Sequence, residues 1–323
     1  MTTHGNGRVF LVMNPASRGG KSRFLFERIR SRFARRNVAV AEATTESFTS
    51  ATRLARKACL DGFDTIVAVG GDGTINRVLN GFYSSEGRLI SNARLGVIHT
   101  GTSPDLCKSY HIPVEVDAAC ETICSGGTRR IRTGMISYRK TENADSAAGV
   151  SFFACCADIG LGARLATLAN SGIRRRFGDA AGTFLALLRV LATYRPVTVE
   201  MDMDGNRTLL ERACNISVGR TFHVASGIKI ANDLTDDDIR MYSLAAVNIG
   251  LRTLPGCLRA LYSGKPFRNS SIFRFGYGNT FHLSSPDATV AVEFDGDAAG
   301  FLPCTIATAP DRLPLLCGDA HAC

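Results

Sequence analysis

The sequence predicts an α/β domain built on a parallel sheet, followed by a mostly antiparallel β domain. Three observations predict it. Through residue 130 or so, apolar strand-like runs alternate with amphipathic helical segments, the pattern of βαβ units. Beyond residue 195 or so, short runs of period-two alternation follow one another with few helices between. Between the halves, RTGMISYRKTENADSAAG turns polar and rich in small residues, which places a boundary near 130–150 and reads as a hairpin.

RVFLVMN (8–14) reads as a buried strand. The basic stretch RGGKSRFLFERIRSRFARR (18–36) then reads as a helix from about Lys21, with Leu25, Ile29 and Phe33 toward a core and the arginines toward water. VAVAEATT (38–45) is a second strand. Its terminal threonines, with Ser47, can cap a helix over about 47–60 whose Phe48, Ala51, Ala55 and Cys59 share a side. DTIVAVG (64–70) is a third strand, and the helix after it places Ile75, Val78, Leu79 and Phe82 at i, i+3, i+4 and i+7. RLGVIHTG (94–101) is a fourth. In the second half TVEMDMDG (198–205), ACNISVGR (213–220), RMYSLAAVNIG (240–250), SIFRFGYG (271–278), TFHLSS (280–285) and ATVAVEFDG (288–296) are strand-like, and a helix interrupts around 178–194.

Thirty-eight basic and 29 acidic residues give the 323-residue chain a net charge of +9, which suits anionic partners. The cations concentrate at 18–36 and at Arg174-Arg175-Arg176. Without Trp or basic–aromatic interleaving, phosphate or lipid headgroups fit better than nucleic acid. No apolar run reaches eighteen residues, and the first residues lack a charged and then apolar leader, so the expected location is the cytoplasm. The eleven cysteines are scattered, as incidental thiols rather than a disulfide framework. Cys120/Cys124 and Cys317/His321/Cys323 lack the paired spacing of structural zinc sites.

In an open parallel sheet, ligands sit outside the carboxyl ends of the strands. Three strand ends here carry phosphate-friendly corners. Asn14-Pro15-Ala16-Ser17-Arg18-Gly19-Gly20-Lys21 offers glycines that let amides approach an anion, with Arg18 and Lys21 as countercharge, although its spacing is not that of a Walker loop. Gly70-Gly71-Asp72-Gly73-Thr74 opens a helix. A carboxylate beside a phosphate opposes it unless a cation or a proton transfer is involved; the plain alternative is that Asp72 caps the helix. His99-Thr100-Gly101-Thr102-Ser103-Pro104-Asp105 repeats the pattern of strand, Gly-Thr and acid. Together the corners imply a nucleotide site with acidic partners.

These corners resemble the N-terminal motifs of the diacylglycerol kinase catalytic domain superfamily, which includes bacterial diacylglycerol/lipid kinases and the sphingosine and ceramide kinases. Ile159-Gly160-Leu161-Gly162-Ala163 falls where the family has Gly-Phe-Asp-Ala, and Arg176-Phe177-Gly178 where it has a basic residue and a glycine. Ala225-Ser226-Gly227 through Asp236-Asp237-Asp238 resembles its Gly-rich turn and acidic loop, and Phe294-Asp295-Gly296-Asp297 its late Asp-Gly-Glu motif. The resemblance implies an NAD kinase/diacylglycerol kinase-like α/β nucleotide domain over 1–133, with about 309–323 returning to it. A β-sandwich lipid-substrate domain over 134–308 would complete the active site between them.

By the same resemblance, ATP and Mg²⁺ lie on Asn14, Pro15, Arg18, Lys21, Thr44, Thr45, Gly70, Gly71, Asp72, Gly73, Thr74, Gly101 and Thr102. Asp72 organises nucleotide and metal, and Asp297 is the general base. Asp105 and Asp158 face the lipid, and Asp236 and Asp237 are further metal ligands. The implied reaction passes the γ-phosphoryl group to a lipid hydroxyl, in a protein peripheral at the inner membrane surface on anionic lipid, with a homodimer left open. Three features depart from the family. Gly-Thr-Gly-Asn-Asp becomes Gly101-Thr102-Ser103-Pro104-Asp105, where Pro104 removes a backbone donor. The acid of Gly-Phe-Asp-Ala becomes Gly162, with Asp158 a helical turn earlier, and the Gly-rich turn near 225 is thin. The other readings are a catalytically degenerate nucleotide-binding regulator of the same fold and a kinase acting on another acceptor, as NAD kinases do.

Overall fold

The computed structural model describes residues 7–47, 49–125, 127–143, 147–161, 194–225, 227–250, 252–286, 289–295 and 297–318. The chain divides into two compact units, Met1–Arg132 with Ala309–Cys323, and Thr133–Thr308. The 174–176 arginines, residues 178–193 of the expected helix, Gly162, Ala163, Ser226 and Gly296 lie outside the described residues.

In the first unit, strands β1 (Val9–Met13), β2 (Val40–Thr44), β3 (Thr65–Gly70) and β4 (Arg94–His99) run parallel in the order β2-β1-β3-β4. The sheet continues with β18 (Leu313–Leu316), parallel to β4, and β5 (Thr128–Ile131), antiparallel to β18. All six residues of β3 are buried, as a central strand covered on both faces requires. Helix α1 (Phe26–Arg35) buries Phe26, Ile29 and Phe33 in one core with Val116, Ala119, Cys120 and Ile123 of α5 (Val116–Ser125). Helix α2 (Ser50–Leu60) packs beside α3 (Asp72–Asn80). Ile75, Val78, Leu79 and Phe82 are fully or almost fully buried, as their spacing predicts.

Two local expectations are corrected. The basic stretch is not one helix: Ser17–Leu25 is a 3-10 segment interrupted by left-handed Arg18, Gly19 and Gly20, and the α-helix begins at Phe26. Nor do Thr44, Thr45 and Ser47 cap α2, whose cap position is Thr49 without a side-chain bond. Ser50 Oγ instead accepts from the Glu46 and Ser47 amides and donates to the Ser47 carbonyl.

The arginines of α1 point outward, but several meet carboxylates. Arg28 reaches Glu115 and Asp117, Arg32 also reaches Asp117, Arg36 reaches Glu121, and Arg30 reaches Glu27 and Glu42. Acidic residues, mainly around α5, thus compensate much of this positive face.

The second unit is antiparallel. It opens with a hairpin of β6 (Gly134–Arg139) and β7 (Ala148–Phe153) and continues with β8 (Cys156–Gly160), β9 (Val197–Met203) and the long β10 (Asn206–Gly219). The strands β13 (Met241–Val247), β14 (Phe273–Gly278), β15 (Thr280–Ser284), β16 (Ala291–Phe294) and β17 (Asp297–Thr308) complete the main sheet, in the order β14-β13-β10-β8-β16-β17-β15-β9. Strand β10 breaks register between Leu210 and Ala213, where Arg212 has φ +51°. Its first half pairs β9 and its second half pairs β8 and β13, so this bend closes the sheet on itself. Alternation divides the faces: Ala157, Ile159, Ile216, Val218, Val292 and Phe294 fill the core, while Cys156, Asp158, Ser217 and Glu293 share the reverse face. A small ribbon, β11 (His223–Val224) with β12 (Ile228–Lys229), and helix α6 (Leu254–Ser263) lie outside the sheet. None of the ten described cysteines forms a disulfide, and among the described residues no helix is long and apolar enough to cross a membrane.

Candidate functional site

The order β2-β1-β3 places a topological switch point between β1 and β3, where ligands bind in open α/β sheets. Both strands end there in the corners singled out from sequence. The Asn14 amide donates to the Val69 carbonyl at 2.9 Å, its Nδ2 donates to Thr74 Oγ1 at 2.8 Å, and its Oδ1 accepts from the Ala16 amide at 2.9 Å. Asn14 therefore ties the first corner to the second. Beyond Pro15, the three successive left-handed residues 18–20 form the kind of turn whose amides make an anion-binding concavity. Arg18 and Lys21 are exposed there. Thr44 and Thr45 end β2 alongside, with the Thr45 amide donating to the Met13 carbonyl at 2.9 Å.

At the second corner Gly71 occupies the cap position of α3, so Asp72 is the first helical residue rather than the cap. A Cβ on Gly70 would lie 2.5 Å from the Thr74 side chain, and one on Gly101 only 2.7 Å from Gly71 Cα. The second and third corners touch through bare backbone, and only glycine permits that approach. The Thr100 amide donates to the Gly70 carbonyl at 2.8 Å, and Thr100 Oγ1 bonds Ser17 Oγ at 3.2 Å, closing the ring of three corners. Gly73 lies in the first turn of α3, where amides have no helical acceptor.

Asp72 is the chemically distinctive group. Its Oδ1 lies 3.5 Å from His99 Nε2, and both atoms are buried without a hydrogen bond. Burial pushes the Asp72 carboxyl up; His99 opposes that shift, Asp105 adds to it and Lys108 reduces it. Asp105 begins the short helix α4 (Asp105–Ser109) behind Pro104 and is buried, whereas Thr102 is exposed. Burial, then Asp72 and Asp105, drive the Cys107 thiol up to about 12, so this cysteine stays protonated.

In the second unit Asp158 lies on a strand, not in a helical turn as its spacing suggested. Its Oδ1 accepts from Asn215 Nδ2 at 2.8 Å and from Ser217 Oγ, and its Oδ2 from Cys156 Sγ at 3.3 Å, so both oxygens are engaged. Glu293, likewise buried, is its register partner across β8 and β16. Asp297 pairs with Phe294 across the hairpin that joins β16 to β17. Asp236 and Asp237 lie on a loop pinned by Arg220, which donates to the Thr235 and Arg240 carbonyls. Among the described residues no three His, Cys, Asp or Glu side chains gather as metal ligands. Sequence reasoning assigned no role to His99 or Glu293; a polar residue at a strand's carboxyl end was the available signal for the first.

The first unit thus carries a switch-point corner with a partly buried carboxylate, and an antiparallel β unit follows it in the chain. Residues 8–136 match the family described as diacylglycerol kinase catalytic domain, and 156–317 match the YegS C-terminal NAD kinase beta sandwich-like domain. The chain belongs to this bacterial diacylglycerol/lipid kinase-like family. It is 30% identical to a diacylglycerol kinase of Bacillus subtilis (strain 168) over 202 residues, 61% of this chain and 60% of that one. It is 31% identical to a diacylglycerol kinase of Staphylococcus aureus (strain bovine RF122 / ET3-1) over 134 residues, 41% of each. The matches thus span less than two thirds of these relatives. The fold is shared with a diacylglycerol kinase crystal structure from Bacillus anthracis str. Sterne (TM-score 0.68, 18% identity, 99% of each chain). It is shared more distantly with yeast NADH kinase complexed with NADH (TM-score 0.56, 11% identity, 98% of this chain and 84% of that one).

Proposed function

We propose that this protein is an ATP-dependent lipid kinase that transfers the γ-phosphoryl group to the hydroxyl of a diacylglycerol-like lipid. The observation that carries the reading is the convergence of three glycine corners on Asp72, whose Oδ1 is buried, at the switch point. The first unit, 1–132 with 309–323, binds the nucleotide, and the second, 133–308, presents the lipid. Backbone amides of residues 18–20 and of the first turn of α3 receive the phosphates, with Arg18 and Lys21 as countercharge. Gly101, Thr102, Thr44 and Thr45 border the same ends of the sheet.

The unpartnered, buried Asp72 Oδ1 fits a hard cation. Mg²⁺ arriving with ATP would be held by Asp72 and would neutralise phosphate charge; Asp236 and Asp237 would be metal ligands within the second unit. Asp297 takes the proton of the lipid hydroxyl. The freed oxygen forms its bond to the γ-phosphorus as the bond to the β–γ bridging oxygen breaks and ADP leaves. Asp105 orients the acceptor side, while Asp158 supports the floor of the lipid site through its own hydrogen bonds. The working protein rests on an anionic membrane surface.

The test incubates the protein with γ-labelled ATP, Mg²⁺ and a total lipid extract, with NAD in a parallel arm. A labelled lipid that vanishes in Asp72→Ala supports the reading. Label in NAD and none in lipid contradicts it.

A further inference from the structure

The bend between β7 and β8 and the Asp295-Gly296-Asp297 motif, more than a hundred residues apart in sequence, are joined by one carboxylate. Asp295 Oδ2 accepts from the Ala154 amide at 2.7 Å, and Oδ1 accepts from the Cys155 and Cys156 amides at 2.9 and 3.2 Å. The Asp295 amide in turn donates to the Cys156 carbonyl at 3.1 Å. Three consecutive amides at the bend between β7 and β8 thus end on one side chain. Three donors on a carboxylate make a strong, directional clamp.

The clamp sits at a critical place in the chain. Phe294 and Asp297 pair across the β16–β17 hairpin, and Asp295 directly follows the paired Phe294. Asp295 has φ +47°, the left-handed backbone that an Asp-Gly hairpin loop requires. A two-residue loop alone fixes register but leaves the hairpin end free to rock. Here its first residue is anchored to the neighbouring strand, two positions before the expected base.

We infer that Asp295 is the positioning residue for Asp297: its carboxylate locks the hairpin to the β7–β8 bend and so fixes where the Asp297 carboxylate starts. Both Asp295 carboxylate oxygens are taken up by the backbone amides of 154–156. This inference rests on the reading of Asp297 as general base, and it explains why an acid precedes the base in this chain. A small displacement of a proton acceptor is costly, since near-attack geometry tolerates little error.

The experiment compares wild type, Asp295→Asn, Asp295→Ala and Asp297→Ala. It measures steady-state kinetics with ATP and diacylglycerol in mixed micelles, and amide hydrogen exchange at 154–156. Asn keeps the left-handed turn preference and one acceptor oxygen, so it remains informative if the Ala variant does not fold. The expected result for Asp295→Ala is faster exchange at 154–156, kcat lower by about 100-fold, and a KM for ATP within about twofold of wild type. Asp295→Asn falls between, as partial rescue. Accelerated exchange with wild-type kcat would overturn the positioning role, because the clamp would be broken without consequence. Unchanged exchange in both variants overturns the clamp itself. Full activity in Asp297→Ala overturns the base reading beneath it, and that outcome is visible without reference to Asp295.

Discussion

Asp72 Oδ1 and His99 Nε2 stand 3.5 Å apart, both buried and neither hydrogen-bonded, because the parallel register of β3 and β4 sets Gly70 beside His99. A carboxylate in such a place costs the folded state stability and is retained where function requires it.

Asp72→Asn is therefore expected to stabilise the nucleotide-free protein at neutral pH. Burial raises the folded carboxyl above its ordinary value, so folding takes up a proton, and stability falls as pH rises from the ordinary value through the raised one. The variant lacks that loss. Calorimetry is expected to show a higher Tm than wild type at pH 7 and no difference below about pH 4, where both chains are neutral at this position. Equal Tm at both pH values would contradict the burial argument.

Gly101→Ala is expected to cost about 1–3 kcal/mol in urea unfolding, because the added Cβ meets Gly71 Cα at 2.7 Å and backbone cannot give way. ATP binding weakens with it. Gly256→Ala, where nothing lies within 4 Å, is the control and stays within about 0.5 kcal/mol.

Asp117→Ala releases Arg32 and leaves Arg28 with Glu115 alone. Sedimentation with phosphatidylglycerol vesicles is expected to show tighter binding than wild type in low salt and equal binding in high salt. Indifference to both substitution and salt would remove this face from any membrane contact.

Asp238 sits in a two-point ion pair with Arg240, whose guanidinium pulls its carboxyl down to about 2. A depressed carboxyl stabilises the fold above its ordinary value and loses that contribution as pH falls through about 2. Asp238→Asn is expected to lose about 0.2–1 kcal/mol at pH 7, with the gap closing toward pH 2. A gap of constant size across that range would contradict the ion-pair origin.

The α/β half was legible because β1 and β3 are almost wholly apolar and its helices strongly periodic, so pattern and burial coincide there. The corners were legible because glycine and acid together at a strand end have few other uses. Helix α5 was passed over although Val116, Ala119, Cys120 and Ile123 repeat helically, since its polar partners Asp117 and Glu121 reveal their purpose only against the arginines of α1. Strand β17 hides behind Pro303, which argues against a strand interior; the structure places it where the register with β6 shifts between Phe301 and Cys304. His99 meets Asp72, and Asp295 meets the amides of 154–156, only through contacts far away in sequence, which no local pattern encodes.

The most direct test of the account is the initial rate of label transfer from γ-labelled ATP to diacylglycerol in mixed micelles by wild type, Asp72→Asn and Asp297→Asn. The account predicts a labelled phosphatidic acid product from wild type and a loss of at least about 100-fold in each variant, with all three folded. A wild-type rate in Asp72→Asn, or no lipid product from wild type while ATP binds, would contradict it.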